Sequence, residues 1–494
     1  MRSYRFLFTM CLVCATSLGG QAPAGFDAYA AAALRTFDTP GAAVAVVLDG
    51  RVVMAAGYGV RTLGRAEPVT GHTLFQIASN TKAFTTAVLA TLVDDGTLAW
   101  DDRVTRHLPW FELADPYVTR ALTVRDLLTH RSGLGLGAGD LLWYGSDYPR
   151  DTVLWRLRHA RLATSFRSAY AYDNVLYTAA GRVAGAAAGT TWERLVTERI
   201  FGPLGMRETY PGVRGVPNDA ERATPHAVVD GRLQVVPVDT TDEVAPAGGI
   251  LTSVSDLARW MTVQLDSGRV RGSAGVRLWS QARTAELWSG QTVLPATANT
   301  GGLAALVPNF NLYGLGWFLR DYRGGKVVTH TGEKAGMTSR LVLVPSRKLG
   351  IVVLTNGESR LSTALAWRLL DHFTGAPLTD WAAAYAAQRT RDAAEAAATE
   401  RAASATRDAA SRPSLALAGY AGRYEDAMYG SASIAVEGGH LVLRFAHSPA
   451  FVADLEPWQH DAFVARWRKR SIPDAYVTFA LEPDGTIERF RMRA

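Results

Sequence analysis

AVAVVLDGRVVMAAGY, residues 43–58, reads as two strands around a tight turn. Ala43–Leu48 and Val52–Tyr58 are apolar and rich in β-branched residues. Asp49-Gly50 between them is the pair that a two-residue hairpin favours, because both positions tolerate positive φ. Working outward, the next comparable runs stand far along the chain, at Lys326–Thr329, Arg340–Val344 and Ile351–Leu354. The stretch between, from Ser79 to about Gln264, is mostly helical in pattern. Strands at both ends of a segment with helices between them predict one antiparallel sheet, completed by both ends and flanked by helices. An all-helical lobe is inserted between the halves of that sheet. The class is α/β, of the α+β type, and this unit is expected over residues 25–375.

Two further stretches follow. Trp381–Arg412 is built from Ala, Arg, Glu and Asp, with no Gly and no Pro before Pro413. Residues 376–413 are therefore expected as an Ala/Arg-rich helical linker. Beyond Leu415 the pattern turns to β. Ser433–Val436 and Leu441–Phe445 bracket Glu437-Gly438-Gly439, and Tyr476–Leu481 and Ile487–Phe490 bracket Pro483-Asp484-Gly485-Thr486. Residues 414–494 are expected as a small antiparallel β-barrel-like domain. Its aromatics Trp458, Phe463, Trp467 and Phe479 are either plain core or the lining of a cavity.

The first residues carry the pattern of an export signal. Arg2 and Arg5 precede an apolar run, Phe6–Leu18, that is too short to span a bilayer, and Ala15-Thr16-Ser17 or Ala22-Pro23-Ala24 offers a cleavage site. The expectation is a signal peptide over residues 1–24 and a secreted or periplasmic protein; a retained N-terminal anchor is the alternative. Cys11 and Cys14, the two cysteines of the chain, both lie in that segment. A mature chain without them has no disulfide, no thiol nucleophile and no cysteine-bound metal. No later apolar run is long enough for a membrane-spanning helix, so no integral segment is expected after signal removal.

Charge argues against a nucleic-acid partner. The net charge is +6 over 494 residues, and without Arg2 and Arg5 the balance is 50 basic to 46 acidic, or +4. The run Arg466, Arg468, Lys469, Arg470 reads as a solvated face. The basic side is lopsided, since only Lys82, Lys326, Lys334, Lys348 and Lys469 are lysines.

That scarcity draws attention to Ser79-Asn80-Thr81-Lys82. Phe84, Val88, Leu89 and Leu92 follow at helical spacing, which puts Ser79 at a helix start and Lys82 one turn along on the same face. A serine hydroxyl needs a neighbour to take its proton, and lysine can do so when burial lowers its pKa, whereas arginine cannot. The helix start also offers free backbone N–H groups to a developing oxyanion. Taken alone, the same spacing describes a helix cap followed by a surface lysine. Tyr172-Asp173-Asn174 adds a tyrosine whose tyrosinate, beside a cation, would be a competent base, and an amide that could hold both lysine and substrate. His330-Thr331-Gly332 ends a predicted strand, where glycine lets a substrate lie close to the backbone and the following N–H could complete an oxyanion hole. No metal-binding, phosphate-loop or dinucleotide pattern is present in the sequence, and no cofactor is expected.

In this order the three motifs resemble the serine β-lactamase and penicillin-binding-protein superfamily, in its class C β-lactamase-like, esterase and D-aminopeptidase branch. Phe75-Gln76-Ile77-Ala78, Leu127 through Leu134, Phe201 through Met206, Pro246 through Ile250 with Asp256 through Arg259, and Tyr313 through Trp317 also match it. The resemblance covers roughly residues 26–374, and the stretch from Leu455 through Trp467 is similar to the lipocalin-like domain found behind such hydrolases. It implies an acyl-enzyme on Ser79, proton transfer shared by Lys82 and Tyr172, and Asn174 orienting lysine and substrate. His330, Thr331 and Gly332 would line one wall, with the N–H groups of Ser79 and Glu333 as the oxyanion hole. His330 stands where β-lactamases and transpeptidases carry lysine, which replaces a fixed cation with an imidazole. The implied substrate is thus a small ester or peptide-like amide, with β-lactam-like compounds and D-amino-acid peptides as alternatives. D-Ala-D-Ala carboxypeptidase, weak β-lactamase and non-hydrolytic penicillin-recognising sensor are the rival activities. Arg340 on the next strand could return a cation, depending on where it points.

Overall fold

Asp49 and Gly50 both take positive φ, +50° and +72°, so the turn that opens the sheet is of the mirror-image kind whose twist suits a hairpin. It joins β1 (Gly41–Leu48) to β2 (Arg51–Gly59). The computed structural model describes residues 22–240, 242–273, 275–295 and 299–493. Cys11, Cys14 and most of the expected signal segment lie outside them. Among the described residues the sheet continues with β3 (Thr292–Val293), β4 (Asn311–Tyr313), β5 (Phe318–Tyr322), β6 (Gly325–Lys334), β7 (Met337–Val344) and β8 (Leu349–Thr355). The strand order is β2-β1-β8-β7-β6-β5-β4-β3, antiparallel throughout. Strands from both ends of the segment thus meet at the β1–β8 pair, with Val44 opposite Val353.

Both faces of this sheet are covered, which explains why its central strands read as unbroken apolar runs. On β8, Ile351 and Val353 face one side while Val352 and Leu354 face the other. The first side packs on α1 (Phe26–Thr36), and later on α5 (Leu361–Thr374) and α6 (Trp381–Ala405). The second side meets α2 (Thr81–Asp94) and α4 (Val254–Leu265), with α3 (Val175–Ala188) and the rest of the lobe beyond. The lobe also carries a short hairpin, His226–Val229 with Arg232–Val235, and a small sheet of Phe75–Gln76, Leu251–Thr252 and Thr209–Tyr210. α2 is buried on every side from Thr81 to Leu92, the signature of a helix through the middle of a core.

The C-terminal part is a meander of β9 (Gly422–Asp426), β10 (Gly430–Glu437), β11 (His440–Phe445), β12 (Ser448–Gln459), β13 (Ala462–Trp467), β14 (Ala475–Leu481) and β15 (Ile487–Arg493). It curls until its first and last strands touch, with the Tyr424 and Phe490 rings 4.9 Å apart, and so is a nearly closed barrel. Phe463, Trp467 and Phe479 are buried core around Tyr420, whereas Trp458 lies outside against Arg407 and Tyr476. The arginines of the basic run pair with carboxylates: Arg466 meets Glu456 at 3.0 Å, Arg468 meets Asp454 at 2.9 Å and Arg470 meets Asp230 at 3.3 Å. No helix of the described residues is long and apolar enough to cross a membrane.

α6 is held at one end. Asp380 caps it through the Ala383 N–H at 3.0 Å, and the buried Trp381 indole donates to Asp371 Oδ2 at 2.8 Å. Beyond Ala382 its side chains are mostly exposed, and Trp381 is its largest fully buried side chain. Trp381→Ala is expected to destabilise the protein by about 3–5 kcal/mol, and Trp381→Phe, which loses mainly the hydrogen bond, by about 1–2 kcal/mol. Calorimetric unfolding of the two variants reads the difference.

Candidate active site

The nucleophile turn is built from strained and tied backbone. Ala78 takes φ +46°, a left-handed conformation rare for a residue with a Cβ, and Ser79 follows in a 3₁₀ turn, Ala78–Asn80, that runs into α2. The turn is anchored on both sides: Ile77 N–H donates to Ile250 O at 3.0 Å, and Asn80 Nδ2 donates to Ser339 Oγ at 2.7 Å. Ser339 Oγ in turn donates to Ile77 O at 2.7 Å, fixing the turn to β7. Ser79 itself stays partly open to solvent.

Lys82 lies beneath it with no exposed surface. Its Nζ donates to Ser79 Oγ at 3.1 Å, Asn174 Oδ1 at 2.8 Å and Ala247 O at 2.9 Å. Two of these partners are amide oxygens that can only accept. A neutral amine therefore keeps both N–H groups on them and directs its lone pair at the Ser79 hydroxyl. Burial pushes the Lys82 pKa down to about 7, partly opposed by Asp140 and Asp173. Among the described residues no carboxylate forms an ion pair with the amine.

Asn174 is oriented by a residue the sequence did not point to. Its Nδ2 donates to Asp140 Oδ2 at 3.1 Å, which turns Oδ1 toward Lys82. The Asp140 carboxyl also accepts from Trp143 Nε1 at 3.0 Å. Burial raises its pKa, against the pull of Trp143, Asn174 and Lys82. The loop that follows is held by the C-terminal barrel: Asp147 Oδ1 meets His447 Nδ1 at 2.8 Å, and the Tyr148 ring stacks on His447 at 4.2 Å.

Tyr172 sits 4.7 Å from Lys82 Nζ, measured to the ring centre, and packs on the buried His130 ring at 4.2 Å. Its hydroxyl is buried and makes no hydrogen bond of normal geometry. The Ser79 hydroxyl is near enough to pull its pKa down, but burial dominates and lifts it well above the ordinary value. The resting residue is therefore a neutral phenol and not the tyrosinate considered from sequence. His130 accepts the Asp173 N–H on Nδ1 at 3.1 Å, and burial drives its pKa well below the usual histidine range.

The third motif lies on the edge of β6. β5 pairs only as far as Thr329, so residues 330–334 present a free edge to the nucleophile turn. The Ala335-Gly336 connection closes on the pair Lys334–Met337, and alternation along an antiparallel pair then leaves the Glu333 N–H pointing away from β7, toward that edge. The Glu333 side chain is exposed and pairs with Arg360 at 3.1 Å.

Three sequence expectations are corrected here. Gly332 does not make room for a substrate: a Cβ there would lie 2.0 Å from Ile77 O and 2.4 Å from Ser339 Oγ, so the glycine lets β6 close on the nucleophile turn. His330 is 1% exposed and spends both ring nitrogens internally, Nδ1 donating to Thr331 O at 2.6 Å and Nε2 accepting from Tyr313 Oη at 3.1 Å. Burial and the Lys82 charge push its pKa down to about 3, so it is neutral and offers nothing to a substrate carboxylate. Arg340 pairs in register with Thr331, whereas Leu341 pairs with His330, so Arg340 points to the opposite face of the sheet. The structure brings Ser79, Lys82, Tyr172 and Asn174 together, places Thr331 and Glu333 at the rim, and seals His330 and Gly332 behind them. Asp140, His130 and the Ala247 carbonyl were not singled out as functional from sequence. The only signal for Ala247 was its place in the Pro246–Ile250 match.

A family model described as beta-lactamase matches residues 26–376, and a second, described as a domain of unknown function (DUF3471), matches residues 406–494. An unguisins hydrolase from Aspergillus violaceofuscus is 28% identical over 379 residues, which is 70% of this chain and 64% of that protein. The chain thus spans less than two thirds of that relative's length. Penicillin-binding protein 4 of Amycolatopsis lactamdurans is 30% identical over 375 residues, 69% of this chain and 88% of that one. Among solved structures, the octameric penicillin-binding protein homologue from Pyrococcus abyssi superposes with a TM-score of 0.61 at 22% identity, covering 95% of this chain and 99% of its own. At that identity the likeness speaks for the fold.

The Asp140–Asn174–Lys82 chain makes a testable statement. Asp140→Leu frees the Asn174 amide and is expected to slow acylation of Ser79 by an active-site probe about 10²-fold, as a displacement of about 1 Å in a reacting group does. Asp140→Asn, which still offers an acceptor oxygen, is expected to retain most of the rate. Stopped-flow labelling with circular dichroism as a folding control measures both.

Proposed function

The chain belongs to the beta-lactamase family over residues 26–376, and on that premise we propose that it is an exported serine hydrolase that cleaves a small ester or peptide-like amide through an acyl-enzyme on Ser79. The single observation that carries this reading is the buried Lys82 amine, with two carbonyl acceptors and the Ser79 hydroxyl as its partners. Export rests on Arg2, Arg5 and the apolar run Phe6–Leu18.

In the proposed acylation, neutral Lys82 takes the Ser79 proton as Oγ attacks the substrate carbonyl. The Ser79 and Glu333 N–H groups receive the developing oxyanion. Tyr172, a neutral phenol whose ring lies against Lys82, passes a proton to the leaving alkoxide or amine as the carbonyl–leaving-group bond breaks, and recovers one from Lys82. In deacylation a water attacks the acyl carbon, Lys82 accepts its proton through Tyr172, and Ser79 Oγ leaves protonated. Asn174 holds the lysine through Oδ1, and the role proposed for it toward substrate is to meet an amide group. A neutral His330 in place of a fixed cation supports esters and small amides over substrates gripped by a carboxylate next to the scissile bond.

The mature protein is expected to gain a mass adduct on Ser79 with a fluorophosphonate, which phosphonylates the hydroxyl with loss of fluoride, and to turn over p-nitrophenyl acetate. Loss of turnover in Ser79→Ala supports the reading, and no adduct on Ser79 with several probes overturns it. Lys82→Arg keeps charge but cannot deprotonate, and is expected to cost about 10³-fold or more in kcat/KM. The required form of Lys82 is the neutral one and its pKa is near 7. The rate kcat/KM should therefore fall about tenfold per pH unit below 7 and level off above it.

A further inference from the structure

On the face of the sheet away from Ser79, Arg340 has no hydrogen bond or ion pair with any described residue, and its Nε is buried without a partner. Its guanidinium lies over the Trp367 indole at 5.2 Å, and Arg320 lies over the same ring at 5.5 Å. Arg320 is satisfied by Leu306 O, and Arg360 by Glu333. Arg340 has neither kind of partner. The charged groups that act on it are Arg320 and Arg360, which oppose its charge, and the Tyr385 hydroxyl of α6; no carboxylate is among them. Burial together with those two cations draws its pKa down to about 10, which still leaves it charged at neutral pH.

The part-buried guanidinium thus has a buried N–H with no acceptor, and an incoming anion would supply one. Space for one exists. A groove of about 1110 Å³ is lined by Trp143, Glu333, Lys334, Arg340 and Tyr385, with residues of α6 on one wall, and it reaches the site through Glu333, whose N–H lies on the strand edge that meets the nucleophile turn. Thr363, in the first turn of α5, opens on the same groove, so the positive end of that helix adds to the field. The walls carry four cations and four carboxylates, a balance that suits a single negative charge better than a phosphate dianion. From Glu333 to Arg340 the sheet register gives a separation of roughly 8 Å between backbone positions. A carbonyl bound at Ser79 and a carboxylate bound at Arg340 would therefore belong to one extended molecule.

We propose that this groove is a recognition site for the carboxylate-bearing end of an extended acyl substrate, held by Arg340 while the scissile carbonyl lies at Ser79. The inference rests on Ser79 being the nucleophile. It puts the substrate's negative charge several bonds from the reacting carbonyl, where a neutral His330 is no handicap. A planar carboxylate matches the fork of the guanidinium, and Arg340 is then a specificity-determining residue outside the proton-transfer machinery.

The test has two arms. In the first, suberate is titrated by calorimetry into the Ser79→Ala protein and into Ser79→Ala with Arg340→Met. Binding that is lost in the double variant supports the site, and absent or unaltered binding overturns it. In the second, mono-p-nitrophenyl suberate is compared with its methyl ester and with p-nitrophenyl acetate. The free acid is expected to have a kcat/KM about 10–100-fold above the methyl ester, chiefly through KM. Arg340→Met is expected to erase that preference, Arg340→Lys to keep part of it, and both to leave acetate turnover within about twofold of wild type. Met removes an unpaired charge, so the melting temperature should not fall. Equal loss on acetate, or a lowered melting temperature, would mark Arg340 as structural and overturn the proposal. Arg340-dependent suberate binding in a protein without Ser79-dependent turnover would leave the groove standing and remove the hydrolase reading. Ser79-dependent acetate turnover without suberate binding or preference would do the reverse.

Discussion

A fully buried lysine amine, bonded to two carbonyl oxygens and the Ser79 hydroxyl, is the constraint on which the rest of the catalytic unit depends. Lys82 can be held there because α2 is buried on all sides, and α2 can be central because the sheet covers it on one side and the lobe on the other. Its three acceptors come from three parts of the chain: Ser79 from the same turn, Asn174 from the start of α3, and Ala247 from the segment preceding α4. Each contact also fixes one boundary of the lobe. Taking a charge out of water is expensive, and the fold meets that expense by letting the group become neutral. The features that make the amine a base are thus the features that make it cost little to bury.

The same logic extends outward in layers. Asp140 holds Asn174, and the barrel domain holds the loop beyond Asp140 through His447 and Tyr148. On the other side, Ser339 and Gly332 lock the nucleophile turn to the sheet edge that supplies the Glu333 N–H. Aromatic rings close the remaining directions, with Tyr172 and Tyr177 centred 4.7 Å and 5.3 Å from the amine. His330 belongs to this shell, and its neutrality spares Lys82 a second cation at close range. Arg340 keeps its charge because it is on the far side of the sheet, with a groove beside it.

Much of this was legible in the sequence. The Asp49-Gly50 turn and the strand runs at both ends of the segment gave the sheet, because turn chemistry and unbroken apolar runs are local signals. β3 and β4 were not visible, since strands of two and three residues carry no periodicity. Ser79, Lys82, Tyr172 and Asn174 were legible because serine, lysine, tyrosine and asparagine at those spacings are uncommon together and lysine is scarce in this chain. Asp140 was not, for it lies 34 residues before Asn174 in a glycine-rich loop with nothing local to mark it. A backbone carbonyl such as that of Ala247 leaves no trace in residue identity at all. Gly332 and His330 show the remaining gap: the sequence marked both positions, but what each faces is decided by register and burial, which only the folded chain supplies.

The scarcity of lysine that drew attention to Lys82 also makes its protonation state observable. With five lysines in the chain, ε-¹³C-lysine labelling yields few enough signals to follow individually by NMR across pH. One ε-carbon resonance, absent from the spectrum of Lys82→Arg, is expected to titrate near pH 7. A Lys82 resonance that stays in its protonated position past about pH 9, in the ordinary lysine range, would contradict the account at its centre.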